Sequence, residues 1–294
     1  MKKQRSKSSY YFRKYFFIPL KILRISLIDV IRQDGVEHAG YLAFLSFLSL
    51  FPFLIFLISI AGYIGASNSG LEIIEILLEA LPKDMLGFLK PRIMEIISGP
   101  PQQFLTIAII GIIWTASSSV EGCRTILNRA YRVHFPPPYI LRRLLSIVEF
   151  FIVVFLMIVG MFIFIIIPDI LNFIEKKFLL NFDFNVRFLH FRYFLIFALL
   201  FFANSLLYFF IPSSRQKITQ TIPGSLLVSV LSIVLFKIFV FYVTNFNQFN
   251  IVYGSLAGVI SALMFFYLMA LIFILGAEFN YHFHRTYQIF LKKN

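Results

Sequence analysis

The residues of this chain that could do chemistry are few, and most of them sit where an apolar solvent would penalise them. Trp114, Ser118, Glu121, Thr125, Asn128 and Arg132 recur at three- and four-residue steps, which lays a hydrophilic stripe along one side of a helix. Three further ionisable groups, Glu149, Lys237 and Glu278, lie in or at the edge of long apolar runs. Such groups can bond from helix to helix, line a cavity open to the cytoplasm, or contact a substrate, but lipid cannot face them. They do not compose a catalytic set. His38, His134, His190, His282 and His284 are scattered, and His282 and His284, two apart, point to different sides of a helix rather than at one metal. There is no phosphate-binding glycine loop, Gly-x-Ser-x-Gly elbow or His-Glu-x-x-His helix, and the acids outside the apolar runs are too dispersed to hold Mg²⁺. The expectation is a protein that is not an enzyme, with no cofactor and no metal. Cys123, the only cysteine, excludes an internal disulfide and a Cys-pair metal site.

The elements that position these groups follow from composition and run length. The chain is 59% hydrophobic and 14% charged, whereas soluble domains average about 25% charged residues, so an ordinary soluble protein is excluded. A bilayer needs roughly 20 apolar residues per helix. Six segments meet or approach that length: Ala39 to Gly65 with Pro52 inside it, a run from Phe104 that must continue through Ser119, Leu144 to Pro168, Tyr193 to Pro212, Ile222 to Val243, and Leu256 to Ala277. The expected fold is all-α and polytopic, with six transmembrane helices. Lys and Arg number 19 on the segments assigned inside and 7 on the alternate loops, so both termini are expected in the cytoplasm. The net charge of +13 points to anionic lipid headgroups at the cytoplasmic face as partners, ahead of nucleic acid.

Flanking pieces complete the domain plan: a basic region 1–38, a transmembrane domain 39–283 and a basic tail 284–294. After Pro19, Leu20, Leu23, Leu27 and Ile31 recur at helical spacing while Lys21, Arg24 and Arg32 lie elsewhere on the wheel, which predicts an interfacial helix on the cytoplasmic leaflet. Residues 67–103 read as an extracytoplasmic amphipathic segment, with Glu72, Glu75 and Glu79 on a solvated face. Pro136-Pro137-Pro138 is expected to stop the helix that carries the polar stripe.

The last helix carries two faces. Gly254, Gly258 and Ala262 fall four apart and form a narrow ridge for close helix packing. Tyr253, Tyr267 and Glu278 share another side, which makes them candidates, with Ser118, Glu121, Thr125, Asn128 and Lys237, for a cavity or substrate site. Glu149 and Glu278 fall near the cytoplasmic boundary, at the depth of Arg142, Arg143 and Arg285, where salt bridges would account for them. Lys237, too deep to meet either acid, snorkels to the outer headgroups or contacts substrate.

Ala43 to Pro52, the Trp114 to Tyr131 stretch with Asn128-Arg129-Ala130-Tyr131, Tyr208 to Pro212, Pro223-Gly224, Tyr253-Gly254-Ser255 and Gly276-Ala277-Glu278, in this order and spacing, resemble the YihY/BrkB family of bacterial membrane proteins. The resemblance runs from about Arg32 to His282. It implies a six-helix inner-membrane protein; Pro52, Pro223, Gly224 and Gly276 are candidate helix-packing positions of this chain. Members have carried the label ribonuclease BN, generally regarded as a misassignment, and some are linked to serum resistance or envelope phenotypes. Three functions stay open: handling or transport of an amphipathic or lipid-like envelope substrate, a membrane-bound ribonuclease, and an envelope scaffold.

Overall fold

A computed structural model describes residues 19–64, 102–178, 184–214, 216–245 and 256–291. Tyr253, Gly254 and the acidic face of the 67–103 segment lie outside the described residues. Among those described, the chain is helical throughout: α1 (19–32), α2 (Gly35–Ile64), α3 (Gln102–Ala130), α4 (Tyr139–Phe178), α5 (Phe184–Phe210), α6 (Ile218–Asn245) and α7 (Ala257–Leu291). Among the described residues, four stretches are long and apolar enough to cross a membrane by length and composition: Tyr139–Gly160, Tyr193–Phe210, Ile218–Asn245 and Ala257–Thr286. The apolar residues they turn outward, such as Phe155, Phe202, Phe241 and Val259, suit a hydrocarbon solvent.

Helix α7 runs past Asn280 and through the expected start of the tail to Leu291, because nothing between Tyr281 and Leu291 is Gly or Pro. Helix α3 ends at Ala130, ahead of the triple proline. Val133 N–H donates to Asn128 O at 2.8 Å and Arg132 N–H to Arg129 O at 3.0 Å, the paired bonds of a Schellman stop. Arg132 occupies its left-handed position with φ 58°. Glycine is the usual occupant there, since a side chain costs roughly 1–2 kcal/mol in that conformation. The prolines instead precede α4, whose first turn begins on Pro138 O.

Helices α6 and α7 pack antiparallel along their length. Gln220 meets His284, Gly224 meets Gly276 and Asn280, and Phe239 meets Phe265. Helix α2 packs antiparallel on α3, with Ser46 beside Ser119 and Gly122 fitted against Leu45 and Tyr41. Contacts between α3 and α4 advance in the same order on both helices, Ser118 to Arg143, Glu121 to Ser146, Arg124 to Glu149, each pair 25 residues apart. These three pairs hold the start of α4 against the C-terminal half of α3.

Two apolar clusters knit these pairs together. One joins Ala116, Val120 and Leu127 with Phe150, Val154, Tyr208, Val228 and Ala277. The other joins Val30, Ala39 and Leu42 with Ile126, Ala270 and Ile274, and Tyr267 packs against it half-buried.

Candidate functional site

At one end of the bundle the polar residues of three distant segments converge on Arg132. Its two terminal nitrogens donate to the two carboxylate oxygens of Glu278 at 2.8 and 2.9 Å, and Nη2 also reaches Asp29 Oδ2 at 3.1 Å. Its guanidinium lies over the Tyr281 ring, 4.5 Å from the centroid. His282, one helical turn beyond Glu278, places Nε2 2.8 Å from Asp29 Oδ2. Glu278 is 1% exposed. A carboxylate so buried needs a fixed cation, and the planar guanidinium satisfies both of its oxygens at once. The backbone explains how the cation arrives: the left-handed turn at Arg132 swings its side chain off the end of α3 and across to α7.

A second left-handed residue repeats the device. Asp34, φ 54°, joins α1 to α2 and accepts a hydrogen bond from Arg129, whose other terminal nitrogen lies 2.8 Å from His38 Nε2. Burial, then the Arg129 charge, hold the His38 imidazole below its ordinary range. Non-glycine residues in this conformation persist where the surroundings over-determine them, and here each carries a charge that ties one helix end to another. Beside them, burial pushes the Tyr131 hydroxyl well above the usual phenol range, so it stays protonated while Asn280 donates to it at 3.3 Å.

Asp29, Glu278 and His282 bring ligand atoms within 4.8 Å of one another, a spacing that could hold a metal ion. Both oxygens of Glu278 and Oδ2 of Asp29 already accept from Arg132, so in this arrangement the guanidinium is the cation of the site.

A second polar centre lies along α3, α4 and the end of α5. Arg124, 2% exposed, pairs with Glu149, donates to Ile211 O at 2.8 Å, and lies 3.4 Å from Ser146 Oγ and 3.5 Å from Glu121. Arg143 stacks on the Trp114 ring at 4.1 Å and donates to Ser118 Oγ at 3.2 Å. Glu121 accepts from Ser146 at 2.8 Å and lies 3.5 Å from Arg142. Asn128 accepts from the Ser213 N–H at 2.7 Å and donates to Ser213 Oγ at 3.2 Å. Of the stripe read from the sequence, Ser118, Glu121 and Asn128 thus face neighbouring protein, and Thr125 is exposed, its hydroxyl donating to Glu121 O at 3.0 Å.

The remaining sequence candidates are dispersed. Lys237 is exposed on α6 with its ammonium 5.4 Å from the Tyr193 ring centroid, away from both centres. Gly258 and Ala262 are half-buried on α7, and Pro52 is half-buried within α2. Gly224 and Gly276 do meet: a methyl on Gly224 would strike the Gly276 carbonyl oxygen, and one on Gly276 would strike Val228 and the Tyr208 hydroxyl. Pro223 has no N–H, and the N–H of Gly224 donates to Asn280 Oδ1 at 2.6 Å, so a side chain of α7 enters the first turns of α6.

Sequence reasoning missed two things. It paired Glu149 and Glu278 with Arg142, Arg143 or Arg285, whereas their partners are Arg124 and Arg132. Asp29, on the helix expected to lie on the membrane surface, is not among the sequence candidates, yet it meets Arg132 and His282. A signal for Arg124 existed, since it falls three residues after Glu121 in a segment otherwise apolar enough to be buried; none existed for Asp29.

Long outward-facing apolar helices around a few buried ion pairs define a multi-pass helical membrane protein. The profile of the family described as Virulence factor BrkB matches residues 28–293, and the chain belongs to that family. It is 25% identical over 215 residues to YfkH of Bacillus subtilis (strain 168), named as ribonuclease-like, covering 73% of this chain and 78% of that one. It is 36% identical over 97 residues to a UPF0761 membrane protein of Chlorobium phaeobacteroides, covering 33% of this chain and 21% of the relative. A UPF0761 membrane protein of Vibrio campbellii is 35% identical over 78 residues, 26% of this chain and 25% of its own. No solved structure matches.

Proposed function

We propose that this chain spans the bacterial inner membrane six times with both termini cytoplasmic, and that it handles or transports an amphipathic, lipid-like substrate of the cell envelope without acting as an enzyme. The observation that carries this reading is the Arg132 tie. Helices α1, α3 and α7, from separate parts of the chain, are held at one end by a compact set of ion pairs, and repacking of such pairs is one way in which helices shift against each other. A purely structural role would be served as well or better by apolar packing, because burying charge costs several kcal/mol per ion before the pairing offsets it.

The test is made on the purified chain in liposomes containing a fluorescent phospholipid. Protein-dependent movement of the lipid between leaflets, altered in Arg132→Ala and Glu278→Gln, supports the proposal; movement identical to that in protein-free liposomes overturns it. The second reading, a ribonuclease, is favoured by the ribonuclease-like name of the Bacillus relative and by the Asp29, Glu278 and His282 grouping. Metal-dependent RNA cleavage by the same preparation, abolished in Asp29→Asn, would select it.

A further inference from the structure

Helix α1 has two unlike sides. Ile22, Ser26 and Val30, spaced four apart, are buried against the bundle, and Asp29 lies beside them on Arg132 and His282. The opposite side is open. Leu20, Leu27 and Ile31 form an exposed apolar ridge, Ile31 at 70% exposure, and at about 100° per residue Arg24, Lys21 and Arg32 fall in that order along one flank of it, all exposed. The only acid on this helix is Asp29, turned away from that side. An apolar ridge with a basic flank and no exposed acid is complementary to one surface chemistry, an acyl boundary beneath anionic headgroups.

We propose that this open side of α1 is a docking surface for an anionic phospholipid leaflet, and that Asp29 on the opposite side couples the docking to the Arg132–Glu278 tie. The inference rests on the membrane-spanning reading above. The ridge enters the acyl boundary while Lys21, Arg24 and Arg32 engage phosphates. Each basic residue near an anionic surface strengthens attachment about fivefold, so the three together amount to about a hundredfold. Docked this way, α1 is held in the position from which Asp29 reaches Arg132 and His282, and the lipid composition of one leaflet acts on the buried carboxylate of α7.

The experiment uses the full chain in nanodiscs of phosphatidylcholine alone or mixed with phosphatidylglycerol, in a Cys123→Ala background. A nitroxide at Ile31→Cys reports collisions with oxygen or with a water-soluble nickel chelate, and a second at Phe236→Cys, on the exposed side of α6, reports whether the helices sit in lipid at all. The expected result is that the Ile31 label is oxygen-accessible and nickel-shielded in the phosphatidylglycerol discs, and shifts toward nickel without that lipid. Lys21→Gln/Arg24→Gln/Arg32→Gln abolishes the difference. Phosphatidylglycerol also raises the thermal stability of the parent, and Asp29→Asn loses that rise while its Ile31 label still inserts. An Ile31 label in water while the Phe236 label is in lipid overturns the docking, as does a triple variant that keeps the lipid difference. A full stability rise in Asp29→Asn overturns the coupling. A Phe236 label in water instead overturns the membrane reading on which the proposal rests.

Discussion

Arg132 and Glu278, 146 residues apart in the chain, meet through two hydrogen bonds of 2.8 and 2.9 Å, and the arginine does so from a left-handed backbone that glycine would occupy without strain. Arg132→Ala should cost about 3–5 kcal/mol, since it takes the guanidinium from a buried carboxylate and leaves only His282, at 3.8 Å, beside it. Arg132→Gly removes the same side chain but relieves the backbone, and should be about 1 kcal/mol less destabilised than Arg132→Ala. Thermal unfolding in detergent orders the three proteins; Arg132→Gly at or below Arg132→Ala would remove the backbone argument.

Arg124 is the more deeply buried cation, and its loss strands Glu149. Arg124→Met should destabilise by several kcal/mol, and adding Glu149→Leu should restore much of it, because an apolar pair of similar volume avoids the desolvation cost. The double-mutant cycle, read by detergent thermal stability, is expected to show strong coupling. Additive effects would mean that the two side chains act independently.

The Gly224–Gly276 crossing leaves no room for a side chain. Gly276→Ala should cost about 1–3 kcal/mol by overpacking against Val228 and Tyr208, whereas Gly40→Ala, with nothing within 4 Å of the added methyl, should be tolerated. Yield and melting temperature of the two variants decide between a tight crossing and a slack one.

Water access along α3 should be uneven. In a Cys123→Ala background, Thr125→Cys is expected to react with a permeant thiol reagent in native membranes, because Thr125 is exposed about a turn and a half from the helix end at Ala130, on the stripe that carries Glu121 and Asn128. Ser118→Cys should react slowly until Arg143→Ala removes the guanidinium that stacks on Trp114 and bonds Ser118. Equal reactivity of the two cysteines in the parent would contradict this packing.

A reporter active only in the periplasm, fused after Asn294, is expected to be silent, and one inserted near Glu75 to be active. The opposite pattern would reverse the proposed orientation.

How much of this was legible in the sequence depended on whether the physics was local. Run length and hydropathy mark Tyr193 to Pro212 and Ile222 to Val243 as helices able to cross a membrane, because hydrocarbon demands an unbroken apolar stretch whose backbone bonds close on themselves. Helical periodicity alone puts Ser118, Glu121 and Asn128 on one side of α3, and the order of the family's motifs along the chain was visible without coordinates. The partners of the buried charges were not. Glu278 had several arginines at a plausible depth, and choosing Arg132 required a left-handed turn that no glycine announced. Asp29 gave no sign of its role, since an acid on an amphipathic surface helix looks the same whether it faces water or a guanidinium. Sequence spacing determines which residues share a side of one helix; which helices cross, and therefore which charges neutralise each other, is decided by the packing of Gly224 on Gly276 and Gly122 on Leu45 and by the turns at Asp34 and Arg132, where tertiary contacts hold a backbone conformation that local propensity disfavours.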